Sequence, residues 1–433
     1  MHRQLIAVGL VFSSLAVLCG CVSRTPSPAA TSDVSGPCVV ALAPGQGQGR
    51  YAADVARTQQ EARGGPHAKA SLERLGYLYV ARARANNDPG DYKLAEATAD
   101  CLRSLYPGEA AALLLRGHVL HQLHRFAEAE GIARQLVAKR TVVLDFGLLG
   151  DALMEQGRLE EAAAAYQRMI DLKPFYQSYT RAAHMRWLKG DLDGALLAMR
   201  QAVASASARD PESSAWAWTR MALYELQAAR PAAALEAVEA ALQYQAEYAA
   251  ALLAKGRILL AQGKGADAVS VLSRAASLDP LPEYQWILAD ALRGQHRDGE
   301  ARDIERELVA RGTATDPRTV ALYLATRGVD QSRALSLADA ELSSRADIFT
   351  LDARAWALAA SGRIPEALTV IGTALAPGTQ DGRLFLHAGV IHAAAGHRQE
   401  ASRWLGRAAR LRAMLLPSEN TLLDSHLTPT STN

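Results

Sequence analysis

The stretch FGLLGDALMEQGRLEEAAAAYQRMIDLKP, from Phe146 to Pro174, decides the fold. Phe146, Leu149, Gly150 and Leu153 recur at helical spacing and predict one amphipathic helix, which the turn Gln156-Gly157 ends. Ala162 and Tyr166 mark the inner face of a second helix, and Pro174 closes the unit. Two short helices of this kind cannot bury their apolar faces alone, so the pattern asks for neighbours.

The neighbours are present in the same chain. Ala95, Ala129, Ala162, Ala195, Ala234, Ala268, Ala301, Ala334, Ala367 and Ala401 share one context, at separations of 34, 33, 33, 39, 34, 33, 33, 33 and 34. Twelve places before nearly every one lies a small residue in a helical stretch, as at Leu149-Gly150, Lys255-Gly256 and Ala388-Gly389. A second clear copy reads Leu252, Gly256, Leu259, Gly263, Ala268, Leu272, Ala275 and Pro280. In residue type and spacing together these units resemble the tetratricopeptide repeat, a helix-turn-helix unit of about 34 residues. The resemblance covers about residues 69–417 and implies an all-α fold, a right-handed α-solenoid of about ten such hairpins.

The physical reason for the pattern is close approach. Gly150, Gly256 and Gly389 remove side chains where a first helix meets its second, and the recurring Ala lets the second helix come equally near. Gly157, Gly190, Gly263, Gly362 and Gly396 stand where the first helix needs a left-handed cap, and Pro231 and Pro365 stand near the start of the second. Extra residues around Asn86 to Gly90 and Ser207 to Glu212 predict longer surface loops, and Leu322 occupies a place that elsewhere holds a small residue.

Ahead of the repeats, His2 and Arg3 precede an apolar run from Leu5 to Leu18, followed by Cys19-Gly20-Cys21. This is a signal-peptide pattern, and the run falls short of the roughly 20 residues a membrane-spanning helix needs. Leu18, Gly20 and Cys21 resemble the bacterial lipoprotein box, although Cys19 stands where Ala or Ser is usual. The resemblance implies a lipoprotein signal peptide over 1–20, lipidation at Cys21 and, because Val22 rather than Asp follows, anchoring at the outer membrane facing the periplasm. An ordinary signal peptide with incidental cysteines is the alternative. Residues 22 to about 50 are rich in Ser, Thr, Pro, Ala and Gly, so 21–68 reads as a flexible tether with a short helix near Tyr51 to Arg63. Residues 418–433 read as a C-terminal tail.

Composition narrows the chemistry. The 47 Lys plus Arg nearly cancel the 45 Asp plus Glu, which gives no electrostatic case for a nucleic-acid partner. There is no glycine-rich phosphate loop, no Gly-x-Ser-x-Gly elbow and no paired-Cys zinc pattern, and signal, tether, repeats and tail leave no segment for a catalytic domain. The chain therefore reads as no enzyme and as needing no cofactor. His118, His121 and His124 fall three apart along a helix, but helical histidines on a half-buried face are more often packing residues than metal ligands. Cys38 and Cys101 are the thiols left after the signal region; export makes a disulfide between them reasonable, and two unpaired cysteines are the alternative.

In the repeat family the first helices line the concave face, so the resemblance implies a working surface there. The repeat register puts Trp187, Trp216, Arg257, Trp286, Asp290, Arg293, Tyr323, Phe349, Asp352 and Trp356 on or near it, with Arg383 beside them. Large aromatics with Arg dominate recognition hot spots, although several of these rings could equally fill space between neighbouring helices. The expected function is a membrane-anchored scaffold that holds a protein partner, as an extended peptide or a helix in the groove, in assembly, secretion or maintenance of the envelope. A polysaccharide- or peptidoglycan-binding accessory role is the alternative.

Overall fold

A computed structural model describes residues 36–44, 51–86, 88, 90–207 and 209–427. The expected signal peptide and Cys21 lie outside the described residues. Ten antiparallel helix pairs follow one another along the chain, and no strand occurs among the described residues.

The first helices of the pairs are α3 (Ala68–Asn86), α5 (Ala110–Gln122), α7 (Val143–Glu155), α9 (Tyr176–Leu188) and α11 (Pro211–Gln227), then α13 (Ala249–Ala261), α15 (Pro282–Gly294), α17 (Pro317–Arg327), α19 (Ile348–Ala360) and α21 (Gly382–Ala394). Their partners are α4 (Gly90–Leu105), α6 (Phe126–Lys139), α8 (Leu159–Leu172), α10 (Leu192–Ser205) and α12 (Pro231–Tyr244), then α14 (Gly265–Leu278), α16 (Asp298–Thr315), α18 (Gln331–Leu342), α20 (Ile364–Leu375) and α22 (Arg398–Arg410). Each first helix packs on its own partner and on the pair that follows, which makes an all-α solenoid.

The recurring alanines sit at the contact the spacing implied: nine of the ten are fully buried, and Ala401 is 5% exposed. A Cβ on Gly389 would lie 2.6 Å from Leu405 Cγ, and one on Gly150 or Gly256 would run into Tyr166 or Leu272 on the partner helix. Between the two helices of a pair, one residue turns left-handed in nine successive repeats. It is glycine at 157, 190, 263, 328, 362 and 396, and His124, Ala229 and His296 adopt the same conformation at φ 56 to 59. The turn is thus set by the fold, and glycine only lowers its cost.

Three expectations change. The extra residues near Asn86 lengthen α3, which has 19 residues against 13 in α5, α7 and α9, and those near Ser207 lengthen both the link 206–210 and α11, which has 17. Continued helix satisfies backbone groups that a loop would leave to water, and Glu212 at the start of α11 reaches Tyr51 Oη at 3.4 Å and Arg84 at 3.7 Å. The segment read as tether carries α1 (Pro37–Leu42) as well as α2 (Ala52–Ala62), packed on α4 and α3 respectively. Gln59 donates to the carbonyl of Ala43 at 2.7 Å and to Tyr79 Oη at 2.9 Å, while Tyr79 donates to Ala41 O at 3.0 Å. A disulfide joins Cys38 of α1 to Cys101 of α4. At the other end, the expected tail forms α23 (Pro417–Leu427), with Leu423 fully buried against the last pair.

Candidate functional site: a lumen closed by the chain itself

The solenoid does not leave an open trough. Links between later repeats cross the concave side and hydrogen-bond to the C-terminal ends of first helices in earlier ones. The amide of Ala346 donates to Glu155 O at 3.1 Å, and Arg345 pairs with the Glu155 carboxylate at 2.7 Å. Thr379 donates to the carbonyl of Leu188, and Gln227 Nε2 donates to Gln380 O at 2.5 Å. After α22, a 3-10 turn (Arg412–Met414) supplies Met414 O to Arg257 at 2.9 Å, and the Ser418 amide donates to Asp290 at 3.0 Å. The third to seventh repeats are therefore bridged by the eighth to tenth and the C-terminal helix.

Closure turns the groove into adjoining cavities. The central one, about 330 Å³, is lined by Trp187, Tyr224, Trp286 and Phe349 together with Arg220, Arg257, Arg318, Arg383, Glu283, Asp352 and Asp381. A second, about 360 Å³, shares Arg318 and Phe349 with it and lies against Arg345 and Asp347. A third, about 480 Å³, shares Arg220 and is walled by Tyr166, Tyr176, Trp216, Tyr248 and Arg84. Cavities of this size with aromatic walls and a few convergent charges suit ligand binding.

Five of the ten residues proposed for the concave face surround the central cavity: Trp187, Arg257, Trp286, Phe349 and Asp352. Most of their surface is already spent within the chain. Trp187 is 7% exposed, donates to Gln227 Oε1 at 2.6 Å and stacks near Phe349 at 5.9 Å. Trp286 is 3% exposed, meets Tyr323 edge-on and carries the Arg383 guanidinium 4.9 Å from its ring centre. Asp352 holds Nδ1 of His387 at 2.9 Å, and the same imidazole stacks on Trp356 at 4.1 Å.

Asp290, Arg293, Tyr323 and Trp356 line none of the three cavities. Asp290 is the acceptor that fastens Ser418, and burial raises its carboxyl above the usual range. Arg293 pairs with Glu305 of its own hairpin at 3.1 Å. Tyr323 is buried beneath Trp286, and desolvation pushes its phenol up to about 12. Trp356 donates to Thr326 Oγ1 at 3.0 Å. Asp290, Tyr323 and Trp356 tie neighbouring segments of the array together and Arg293 ties the two helices of its own hairpin, so the rings at 323 and 356 fill space between helices, as the alternative reading has it. Trp216 alone of the tryptophans so assigned stands out, 37% exposed at the wall of the third cavity.

Sequence reasoning passes over Arg220, Arg318, Gln227 and Thr379. Single arginines and glutamines in a helical repeat carry no motif, and their role appears only when the chain returns on itself. Burial pulls the Arg383 guanidinium down, but Glu419 beside it more than offsets this and holds it above the ordinary arginine range. Burial raises Asp381, which also caps α21 by accepting from the Leu384 amide at 2.9 Å.

The three histidines of the second repeat diverge in use. His118 packs near Tyr77 at 5.9 Å, while His121 and His124 both flank the ring of Phe126 at 5.2 and 5.4 Å. No group of three metal-ligating side chains gathers among the described residues.

Residues 148–213 and 219–281 match the family model of the tetratricopeptide repeat. Over those residues the chain carries tetratricopeptide repeats. Its repeats have the helix-turn-helix architecture of a protein-interaction scaffold. Two solved structures illustrate the likeness. A thermophilic tetratricopeptide-repeat protein of Thermus thermophilus is 20% identical, with 44% of this chain and 99% of that one covered and a TM-score of 0.39. MamA is 18% identical, with 37% and 93% covered and a TM-score of 0.31. Comparison with curated proteins finds no match.

Proposed function

We propose that this chain is a non-catalytic scaffold, held at the outer membrane by acyl chains on Cys21 and facing the periplasm, that captures a protein partner during assembly, secretion or maintenance of the envelope. The observation that carries the capture is the wall of the third cavity. There Trp216 stays more than a third exposed beside Tyr176 and Tyr248, while the other groove tryptophans are covered by the chain's own later repeats. An exposed indole amid phenols and Arg84 offers a large contact area at low rotamer cost. Because links cross the concave side, an extended segment suits this site better than a helix, whose diameter is about 10–12 Å with side chains. The disulfide between Cys38 and Cys101 accords with an oxidising compartment.

The test is crosslinking in membranes followed by co-purification, with the Trp216→Ala variant beside the native chain. Trp216→Ala is expected to keep the fold and to reduce the captured partner at least tenfold, since a hot-spot aromatic is worth about 2 kcal/mol or more. Undiminished capture would overturn the assignment of this wall, and recovery of a Cys21→Ala chain still in the membrane fraction would overturn the lipid anchor. Isolated peptidoglycan or exopolysaccharide, pulled down in parallel, separates protein capture from binding of a sugar polymer.

A further inference from the structure

We propose that the central cavity is a small-molecule site for an organic anion, a carboxylate on an apolar body, held by Arg220 and Arg257. This goes beyond capture of a protein partner and stands independently of it, because it rests on a different cavity.

Most of the charged groups around the cavity have partners within the chain. Arg383 pairs with Glu419, Arg318 pairs with Asp347 at 3.2 Å, and Asp352 is engaged by His387. Asp381 accepts one helix-cap N–H and is within electrostatic reach of Arg383 and Arg257. Arg220 has no hydrogen bond or ion pair with any described residue; its guanidinium lies 5.4 Å from the centre of the Tyr224 ring. Arg257 makes a single bond, to the carbonyl of Met414, which is neutral. A guanidinium carries five N–H donors, so most of the donors of these two groups are unassigned. Glu283, exposed at the rim, is the remaining acid.

Both guanidinium groups are only half-buried, so water meets their free donors, and a bound carboxylate would replace that water with charge-assisted hydrogen bonds. Arginine's planar fork matches a carboxylate in two-point geometry. The aromatic side chains of Trp187, Trp286 and Phe349 in the cavity wall then favour an apolar body on that carboxylate over a hydrated inorganic ion. The volume of about 330 Å³ sits at the small end of ligand pockets, enough for a single-ring acid and too little for a folded segment of another protein. Arg220 also walls the third cavity, which adjoins the central one.

Isothermal titration of the full chain with benzoate tests this, with benzamide as the uncharged ring of the same shape. Benzoate is expected to bind, benzamide at least tenfold more weakly, and Arg220→Gln or Arg257→Gln to weaken benzoate at least tenfold. A reading that needs no variant is arginine modification by phenylglyoxal: benzoate should slow labelling of Arg220 and leave that of the exposed Arg306 unchanged. Absence of benzoate heat, equal affinity for benzamide, or labelling of Arg220 indifferent to benzoate would each overturn the proposal. Loss of partner capture in Trp216→Ala with benzoate binding intact would show the two sites to be separate.

Discussion

Gly190→Ala, set against Gly263→Ala, isolates the closure of the lumen. Both glycines end a first helix in the left-handed conformation, at φ 78 and 73, so both substitutions carry the same backbone cost of about 1–2 kcal/mol for an L-residue there. Around Gly263 a Cβ would meet nothing within 4 Å. At Gly190 it would lie 2.5 Å from the carbonyl oxygen of Gly378, where real Cβ contacts stay beyond 3.0 Å. The link from Pro377 to Gln380 must therefore move by at least half an ångström, and two hydrogen bonds anchor it: Thr379 to Leu188 O and Gln227 to Gln380 O. Overpacking of this kind costs about 1–3 kcal/mol, and each bond lost at the rim costs about 1 kcal/mol more. Gly190→Ala should thus destabilise by about 2–5 kcal/mol before any bond is lost, against about 1–2 kcal/mol for Gly263→Ala. Urea midpoints followed by circular dichroism, at one temperature and protein concentration, read the difference. Equal midpoints for the two variants would refute the crossing of the concave side.

Acid should loosen the array before most carboxylates titrate. Burial lowers His118 to about 4, His124 to about 4 and His184 to about 3, whereas each would take up a proton near 6.5 when unfolded. Between those values the unfolded chain binds more protons, so stability falls as pH falls from 6.5 toward 4, on the order of 1 kcal/mol per pH unit for each of His118 and His184. A urea midpoint that does not drop between pH 7.5 and pH 5 would contradict this. Reduction of the Cys38–Cys101 bond, which closes a loop of sequence separation 63, should release α1 from α4 and remove up to about 4 kcal/mol of stabilisation from the N-terminal repeats. Thiol counting with and without reductant, followed by limited proteolysis ahead of Ala68, reads both parts.

The repeat itself is legible because it is made of local geometry. A buried Ala at ten matching places and a left-handed turn after nine of the first helices are imposed by the close approach of two helices, and that constraint is written every 33 or 34 residues but for one interval of 39. Even here the sequence pattern is incomplete, since His124, Ala229 and His296 adopt the glycine conformation without glycine. The helices α1 and α23 escape it for a different reason. Each is short, bounded by polar or small residues, and stable through docking: Ala41 and Leu42 against the first pair, Leu423 against the last.

The working surface is the least legible. Assigning Trp286, Tyr323 and Trp356 to the concave side is a statement about one repeat, but Tyr323 and Trp356 are covered by neighbouring repeats and Trp286 by Arg383, well over a repeat away. Truncating Trp286 would therefore cost about 3–5 kcal/mol as a core residue and say little about binding. Arg220 shows the converse. Nothing in its local sequence marks it, and it becomes a candidate only because the surrounding charges are paired and it is not.

Hydrogen exchange at the Ala346 amide tests the closed lumen most directly. That amide donates to Glu155 O, across 191 residues of sequence. In a closed array the peptide spanning residues 343–349 should exchange far more slowly than an unstructured loop, and a Gly157→Ala chain, whose new Cβ would strike the Ala346 carbonyl, should lose that protection while α18 and α19 keep theirs. Exchange of Ala346 at the unstructured rate in the native chain, with both flanking helices protected, would contradict the account.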